Sequence, residues 1–390
     1  MDKKHILIVV HQMNVGGVQK ALLSALDAIN YRQNDVTLYI RKNRVDLLPA
    51  INKNVSKILI NDDKTHYYRK PYIIILQIIS IIMNFLGKDN KAIHEMLVKY
   101  MHKKQYEYEK EHYFSDNHVY DIAISYIQGY TAEFVADYIQ AKRKIMFYHG
   151  STDETHALHE KIMGIFSVIY SVSWESLKSL KRFYPDFANK MDCIENIVNT
   201  EFIHNSAIKT NILFDNEKLT FCSCGRLAKV KGFDLAVKSA EILKRKGIDF
   251  VWYFVGDGPE RENIENLIND LDIKKYIVIT GMQENPYPYI KNCDIYVQPS
   301  YEEAHPLSVI EAQILQRPVV STRTAGGQSL VRDGINGILT DITAQSLAEG
   351  IIKLSTDKDV REKMRKNLKT IDYAAKDKEF KEKWALLLGD

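Results

Sequence analysis

The chain has 390 residues, 45% hydrophobic and 26% charged, with a formal net charge of +3. Such values exclude a disordered chain and allow two domains of ordinary size, each with its own core. The charge is uneven: over residues 1–110 Lys and Arg number 18 against 10 Asp and Glu, so the remainder is acidic. A basic N-terminal half suits an anionic partner, such as a phosphorylated acceptor or an acidic membrane surface, or else is a solvated basic face. The four cysteines, Cys193, Cys222, Cys224 and Cys293, fit no zinc or redox template, because Cys222 and Cys224 form C-x-C rather than C-x-x-C. They read as small buried residues of a reduced, cytosolic protein.

The first apolar run, residues 6–10, is too short for the core of a signal peptide and reads as a buried strand within 5–10. A turn with Gly16 and Gly17 follows, and Val18, Leu22, Leu23, Leu26 and Ile29 then recur at helical spacing. Further strands are expected at 36–40, 121–126, 144–148 and 168–172. Between them, residues 64–115 form an insertion. Its segment 72–86, YIIILQIISIIMNFL, is too short to span a bilayer. Lys64, Arg69, Lys70 and Lys88 flank it, and Lys91, Lys99, Lys103 and Lys104 follow. It reads either as an apolar helix dipping into a membrane interface beside basic anchors, or as a helix buried against the sheet. The strand–helix rhythm restarts after residue 210, with strands at 219–223, 250–255, 276–280, 295–298 and 318–321 and helices at 235–246 and 259–271. Alternation of this kind implies two doubly wound parallel sheets, with a boundary near 196–205. Residues 374–389 read as a final helix.

Three stretches carry candidate chemistry. GRLAKVKG, residues 225–232, follows a strand: Gly225 permits a tight turn, and Arg226 and Lys231 project from one loop. A guanidinium and an ammonium outside the carboxyl end of a parallel strand suit a diphosphate, though they also read as surface charges. VGDGP, residues 255–259, opens a helix, and Gly256 lets backbone approach a ligand. PSYEEAHPLSVIEA, residues 299–312, places Glu303 and Glu311 seven residues apart around a turn. Pro306 suits a helix start. Glu311 then lies about five residues in, roughly 7–8 Å along the axis at about 1.5 Å per residue. Two carboxylates so placed can grip two hydroxylated ends of a ligand with a diphosphate between them at the helix terminus; the alternative is a solvated helix start.

The succession GRL-x3-KG, VGDGP, GM-x2-NPYPYI, PS-x2-E-x7-E and PVVST resembles glycosyltransferase family 4, the retaining GT-B enzymes, over about 220–340. The N-terminal half resembles it more loosely, in MNVGGVQKALL and KIMFYHGS, and CIENIVNT resembles the interdomain stretch. The resemblance implies an α/β GT-B fold of two Rossmann-like domains facing a central cleft. Residues 1–198 would bind acceptor, 199–372 would hold a nucleotide-sugar donor, and 373–390 would pack back on the first domain. It implies that Arg226 and Lys231 hold the donor diphosphate, Glu311 binds the ribose hydroxyls and Glu303 faces the transferred sugar. Backbone at Ala304, His305, Pro306, Leu307 and Ser308 would cap sugar and phosphate. Residues 281–288, with Met282 and Pro286, would flank the nucleobase. Gly16 and Gly17 would approach donor phosphates or acceptor, and His149 would sit across the cleft near the sugar.

Departures concern specificity. Ala304 and His305 stand where the family has Gly-Phe, and alanine avoids positive φ, so this loop is expected to be reshaped. Gln19 replaces a common glutamate, Gln128 and Tyr148 replace a frequent Glu and Trp, and Gln328 and Ser329 stand where an acid is common. The expected activity is retaining, metal-independent transfer from a UDP-sugar to a saccharide acceptor, lipid-diphosphate-linked, in cell-envelope glycan synthesis. No cofactor, metal or nucleic acid is expected, and the location is cytoplasmic, peripheral on the inner membrane face through 64–104. A catalytically degenerate GT-B sugar-binding or scaffold subunit is the alternative. An NAD-linked oxidoreductase is disfavoured because HQMNVGGVQ lacks G-x-G-x-x-G.

Overall fold

The structure, a computed structural model, describes residues 3–14, 16–61, 91–150, 160–209, 212, 214 and 217–389. The apolar segment 72–86, with Lys64, Arg69, Lys70 and Lys88, lies outside these. Among the described residues, β1 (Lys4–Val10), β2 (Asn34–Ile40), β3 (Lys57–Ile60), β4 (Tyr120–Ser125), β5 (Ala141–Tyr148), β6 (Val168–Ser171) and β7 (Met191–Cys193) form one sheet in the order β3-β2-β1-β4-β5-β6-β7. Then β8 (Leu219–Cys224), β9 (Phe250–Val255), β10 (Ile277–Gly281), β11 (Ile295–Gln298), β12 (Val319–Thr322) and β13 (Gly337–Thr340) form a second, in the order β10-β9-β8-β11-β12-β13. The strand pairs are parallel. The expectation of two Rossmann-like doubly wound sheets is met. In each, the chain reverses its direction of winding between neighbouring strands, β1 and β4 or β8 and β11. The connections there diverge and leave a crevice at the carboxyl edge.

The apolar runs follow from burial on both sides of a parallel sheet. Ile6, Ile8 and Val10 of β1 face one layer with Leu22 and Leu26 of the helix Gly17–Ala28. Leu7 and Val9 face the other, with Phe134 and Val135 of the helix Tyr130–Tyr138. β3, β7 and β13 escaped the sequence reading. Each has only three or four residues and lies at or next to a sheet edge, so its apolar signal is short.

Helix Lys91–Tyr113 is anchored by a buried pair: Arg41 donates from Nε and Nη2 to the two oxygens of Glu109 at 2.8 and 2.9 Å. Arg41 Nη1 reaches the Tyr130 carbonyl at 2.8 Å, so the guanidinium is satisfied on three sides. Removing one partner of such a pair costs about 3–5 kcal/mol. The last helix, Tyr373–Leu388, lies on the first domain. Its Phe380, Trp384, Leu387 and Leu388 join the core layer of β1, and Trp384 stacks on Phe147 at 5.4 Å. Lys4 and Arg143 donate to its final carbonyls, of Leu388 at 2.8 Å and Leu387 at 2.7 Å, where cations offset the helix dipole.

Candidate active site

The carboxyl edge of the second sheet is built to let backbone come close. After β8, Gly225 donates its N–H to the Val255 carbonyl at 3.0 Å. A Cβ on Gly225 would meet nothing within 4 Å, so this strand end faces open space. The tight position is its neighbour: Gly256 has φ +151°, and a Cβ there would lie 1.9 Å from the Gly225 carbonyl. Lys229–Lys231 form a short turn that ends at Gly232, φ +64°, whose missing Cβ would strike the Pro299 carbonyl at 2.1 Å. Only glycine meets both demands at either place. The turn thereby presses against the start of the Pro299–Ser308 loop, bringing Lys231 to Glu303.

Glu303 is held by a buried polar set. Its Oε1 accepts from Lys231 Nζ at 2.6 Å, Gln298 Nε2 at 2.9 Å and Ser300 Oγ at 3.0 Å. Gln298 Oε1 in turn accepts from Ser308 Oγ at 3.0 Å and Tyr296 OH at 3.2 Å. The loop is pinned from behind where Gly326 N–H donates to the Glu303 carbonyl at 2.7 Å. Helix Leu307–Ile314 begins after Pro306, which is the cap residue rather than the first helical one. No side chain caps this terminus and no acid lies in its first turn, so the N–H groups of Leu307 and Ser308 remain available to an anion, while that of Val309 donates to the Pro306 carbonyl at 3.0 Å.

Glu311 projects from this helix with its side chain 3% exposed. Its Oε1 accepts from Lys20 Nζ at 2.7 Å and from Tyr287 OH at 3.2 Å. Lys20 belongs to helix Gly17–Ala28 of the other domain, so this pair crosses the cleft. Burial opposes the charge on Lys20, but the Glu311 carboxylate outweighs it and holds the ammonium pKa above its usual value. Burial, then Glu311, raises the Tyr287 phenol. For both glutamates the second oxygen, Oε2, has no hydrogen-bond partner among the described residues. Each carboxylate is fixed through one oxygen and offers the other.

Arg226 is exposed and has no side-chain partner among the described residues, whereas Lys231 already serves Glu303. Met282 is 65% exposed beside the strand end of β10, and Pro286 caps the helix Tyr287–Asn292 that carries Tyr287. Gly16 caps helix Gly17–Ala28 in an extended conformation, and Gly17 faces open space.

His149 follows β5. Its backbone N–H donates to Gln128 Oε1 at 3.0 Å. Burial drives the ring pKa down to about 3, against a hydrogen bond to the Tyr126 backbone, so the imidazole is neutral. Its Nε2 is buried without a partner among the described residues. His305, whose pKa burial lowers to about 4, adds a smaller push in the same direction.

Ala304 does not have positive φ, as expected of an alanine, and its loop is not strained on that account. Ala304 is buried in the first domain's core layer, and His305 Nε2 contacts the Asn196 carbonyl of the interdomain stretch at 3.2 Å. Their side chains serve domain contact. Sequence reading gave no role to Lys20, Gln298 and Ser300, and placed Tyr287 only within the stretch expected to flank the nucleobase. A signal existed for Gln298, a polar residue closing the apolar strand IYVQ; Lys20 looked like any exposed helical lysine. A cavity of about 640 Å³ lies on the hinge side, lined by Glu195, His305, Gln313, Tyr373 and Lys383 among others, not at the glutamate pair. Among the described residues no group of His, Cys, Asp and Glu is placed to hold a metal, and no helix is long and apolar enough to cross a membrane.

Residues 205–370 match the family Glycosyl transferases group 1. The chain is 32% identical over 143 residues to the lipopolysaccharide core biosynthesis glycosyltransferase LpsE of Rhizobium meliloti, covering 36% of this chain and 41% of that protein. It is 25% identical over 229 residues to the amylovoran biosynthesis glycosyltransferase AmsK of Erwinia amylovora, covering 56% of each. The chain thus spans about half the length of the curated relatives it matches. The crystal structure of Anabaena Alr3699/HepE in complex with UDP superposes with a TM-score of 0.65 at 15% identity, over 98% of this chain and 99% of that one. The fold is GT-B: two Rossmann-like domains facing a cleft.

Proposed function

We propose that this chain is a glycosyltransferase that moves a sugar from a nucleotide-diphosphate donor, a UDP-sugar, to a saccharide acceptor during cell-envelope glycan synthesis. The observation that carries the reading is the pair of cleft glutamates. Each is clamped through Oε1 and open at Oε2, at the carboxyl edge of the second sheet, beside Arg226 and the uncapped start of helix Leu307–Ile314. Glu311 accepts from the ribose hydroxyls, and Glu303 from the hydroxyls of the transferred sugar. The diphosphate lies between them, near Arg226, Lys231 and the free N–H groups of the helix start. Charge grows on that diphosphate as the glycosidic bond breaks, so these groups lower the barrier electrostatically, with no metal. Reaction is with retention: the acceptor hydroxyl attacks the face the phosphate leaves, and the leaving phosphate takes its proton. Support comes from the family match over the second domain and from relatives named for lipopolysaccharide core and amylovoran biosynthesis. The UDP in the similar Anabaena structure favours uridine as the base. The acceptor is lipid-diphosphate-linked, a reading supported by the basic excess of residues 1–110.

Thermal stabilisation by a panel of UDP-, GDP-, ADP- and CMP-sugars tests the proposal. A shift of several degrees with a UDP-sugar, lost in Arg226→Ala and Glu311→Ala, is the expected result. No shift with any member would overturn the donor assignment.

A further inference from the structure

We infer that Lys20, supplied across the cleft by the first domain, is a positioning residue of the donor site: it holds the Glu311 carboxylate so that Oε2 is presented to the ligand. This rests on the reading of Glu311 as the acceptor for the ribose hydroxyls. The physical need is plain. An ionised carboxylate with its side chain 3% exposed is costly unless a counter-charge and hydrogen bonds compensate it. Ribose hydroxyls are neutral and arrive only with the donor, so the compensation must come from the protein. Lys20 Nζ lies 2.7 Å from Oε1, with Tyr287 OH on the same oxygen at 3.2 Å. The ammonium also lies 5.2 Å from the Tyr287 ring centroid and 3.4 Å from its hydroxyl. Two groups from two other helices therefore fix one carboxylate oxygen and leave the other unpartnered among the described residues.

The lysine is not merely resting there. Ala21, the next residue, packs into the second domain's apolar layer with Tyr287, Leu307 and Ile310, which docks this turn of helix Gly17–Ala28 on the donor domain. The donor domain carries Glu311 but not its counter-charge. Glu311 is oriented for a nucleoside only when the two domains are together as they are here. The first domain then contributes to donor affinity through a residue that need not touch the donor.

The test is a binding cycle by calorimetry with UDP and 2′,3′-dideoxy-UDP on the full chain, for wild type, Lys20→Met, Lys20→Arg, Glu311→Gln and the Lys20→Met/Glu311→Gln double variant. The expected result is that Lys20→Met weakens UDP by about tenfold or more and narrows the gap between the two ligands. Lys20→Arg restores most of both, and the double variant binds no worse than Glu311→Gln alone. A purely structural role would weaken both ligands equally and leave the gap intact; that outcome, or wild-type behaviour in Lys20→Met, overturns the inference. Wild type that binds UDP but does not distinguish the two ligands removes the ribose reading of Glu311 and the inference with it. Wild type that binds neither removes the donor assignment itself.

Discussion

A carboxylate offers two oxygens, and both cleft glutamates divide them alike, one toward the protein and one toward the cleft. This division converts a charged side chain into a directed acceptor: the satisfied oxygen fixes the rotamer, and the charge stays balanced while the site is empty. His149 works by a different route. Burial pushes its pKa down to about 3, so the ring is neutral near pH 7. With one nitrogen engaged by the Tyr126 backbone, the unpartnered Nε2 is a neutral hydrogen-bonding atom suited to a sugar hydroxyl. On this account His149→Ala lowers kcat by about tenfold or more, and by the same factor at pH 6 and pH 8. Steady-state rates across pH decide it. Full turnover in the variant would take His149 out of the site, and a limb near pH 6.5 that vanishes with it would show a titrating role instead.

At the scale of elements, the short helix Leu307–Ile314 carries Glu311 into the cleft. Seven of its eight residues are buried and apolar contact surrounds it, so Glu311 is tolerated only because other elements bring partners to it. The loop before it is held at two nearby points: Gly326 pins the Glu303 carbonyl, and His305 meets the Asn196 carbonyl near the hinge. The loop that carries Glu303 thereby touches both domains. Of the two readings of segment 72–86, the membrane-interface one is open to a vesicle test. Wild type should co-sediment with anionic vesicles. Replacing Ile74, Ile78 and Ile82 with Asp should release it while leaving nucleotide binding unchanged. Failure of wild type to bind such vesicles would discard the membrane contact.

For the whole molecule, the two domains share residues in both directions. Ala304 of the donor loop is buried in the first domain, Ala21 of the first domain is buried in the second, and helix Tyr373–Leu388 returns to cover the first sheet. Stability should therefore report on both domains at once. Burial lowers the pKa of His11, His102 and His305 to about 4 and of His149 to about 3. Nearby cations, Lys42 and Arg41 first among them, deepen the effect at His11. The unfolded chain binds these protons near pH 6.5 and the folded chain does not. The histidine contribution is thus fully present above about pH 6.5 and is lost as pH falls toward about 4. Thermal melts should show Tm dropping steadily between pH 6.5 and 4.5, above the range where carboxylates protonate. A flat Tm over that interval would show that these rings are not held neutral by the fold.

Much of this was determined by the sequence alone. Apolar runs bounded by glycine and spaced by helices specify parallel sheets, because only strands buried on both faces need such composition. The pattern of Gly225, Arg226, Lys231, Glu303 and Glu311 marks where a nucleotide-sugar site would lie, since chemistry at a strand's carboxyl edge leaves local signatures. Tertiary structure decided what those residues touch. Whether Lys231 is free or paired, whether Ala304 is strained or simply buried, and which lysine answers Glu311 depend on contacts between residues as distant in the chain as Lys20 and Glu311. No periodicity or motif encodes a pairing across two domains. It exists only once both sheets have folded and the cleft has brought their edges together.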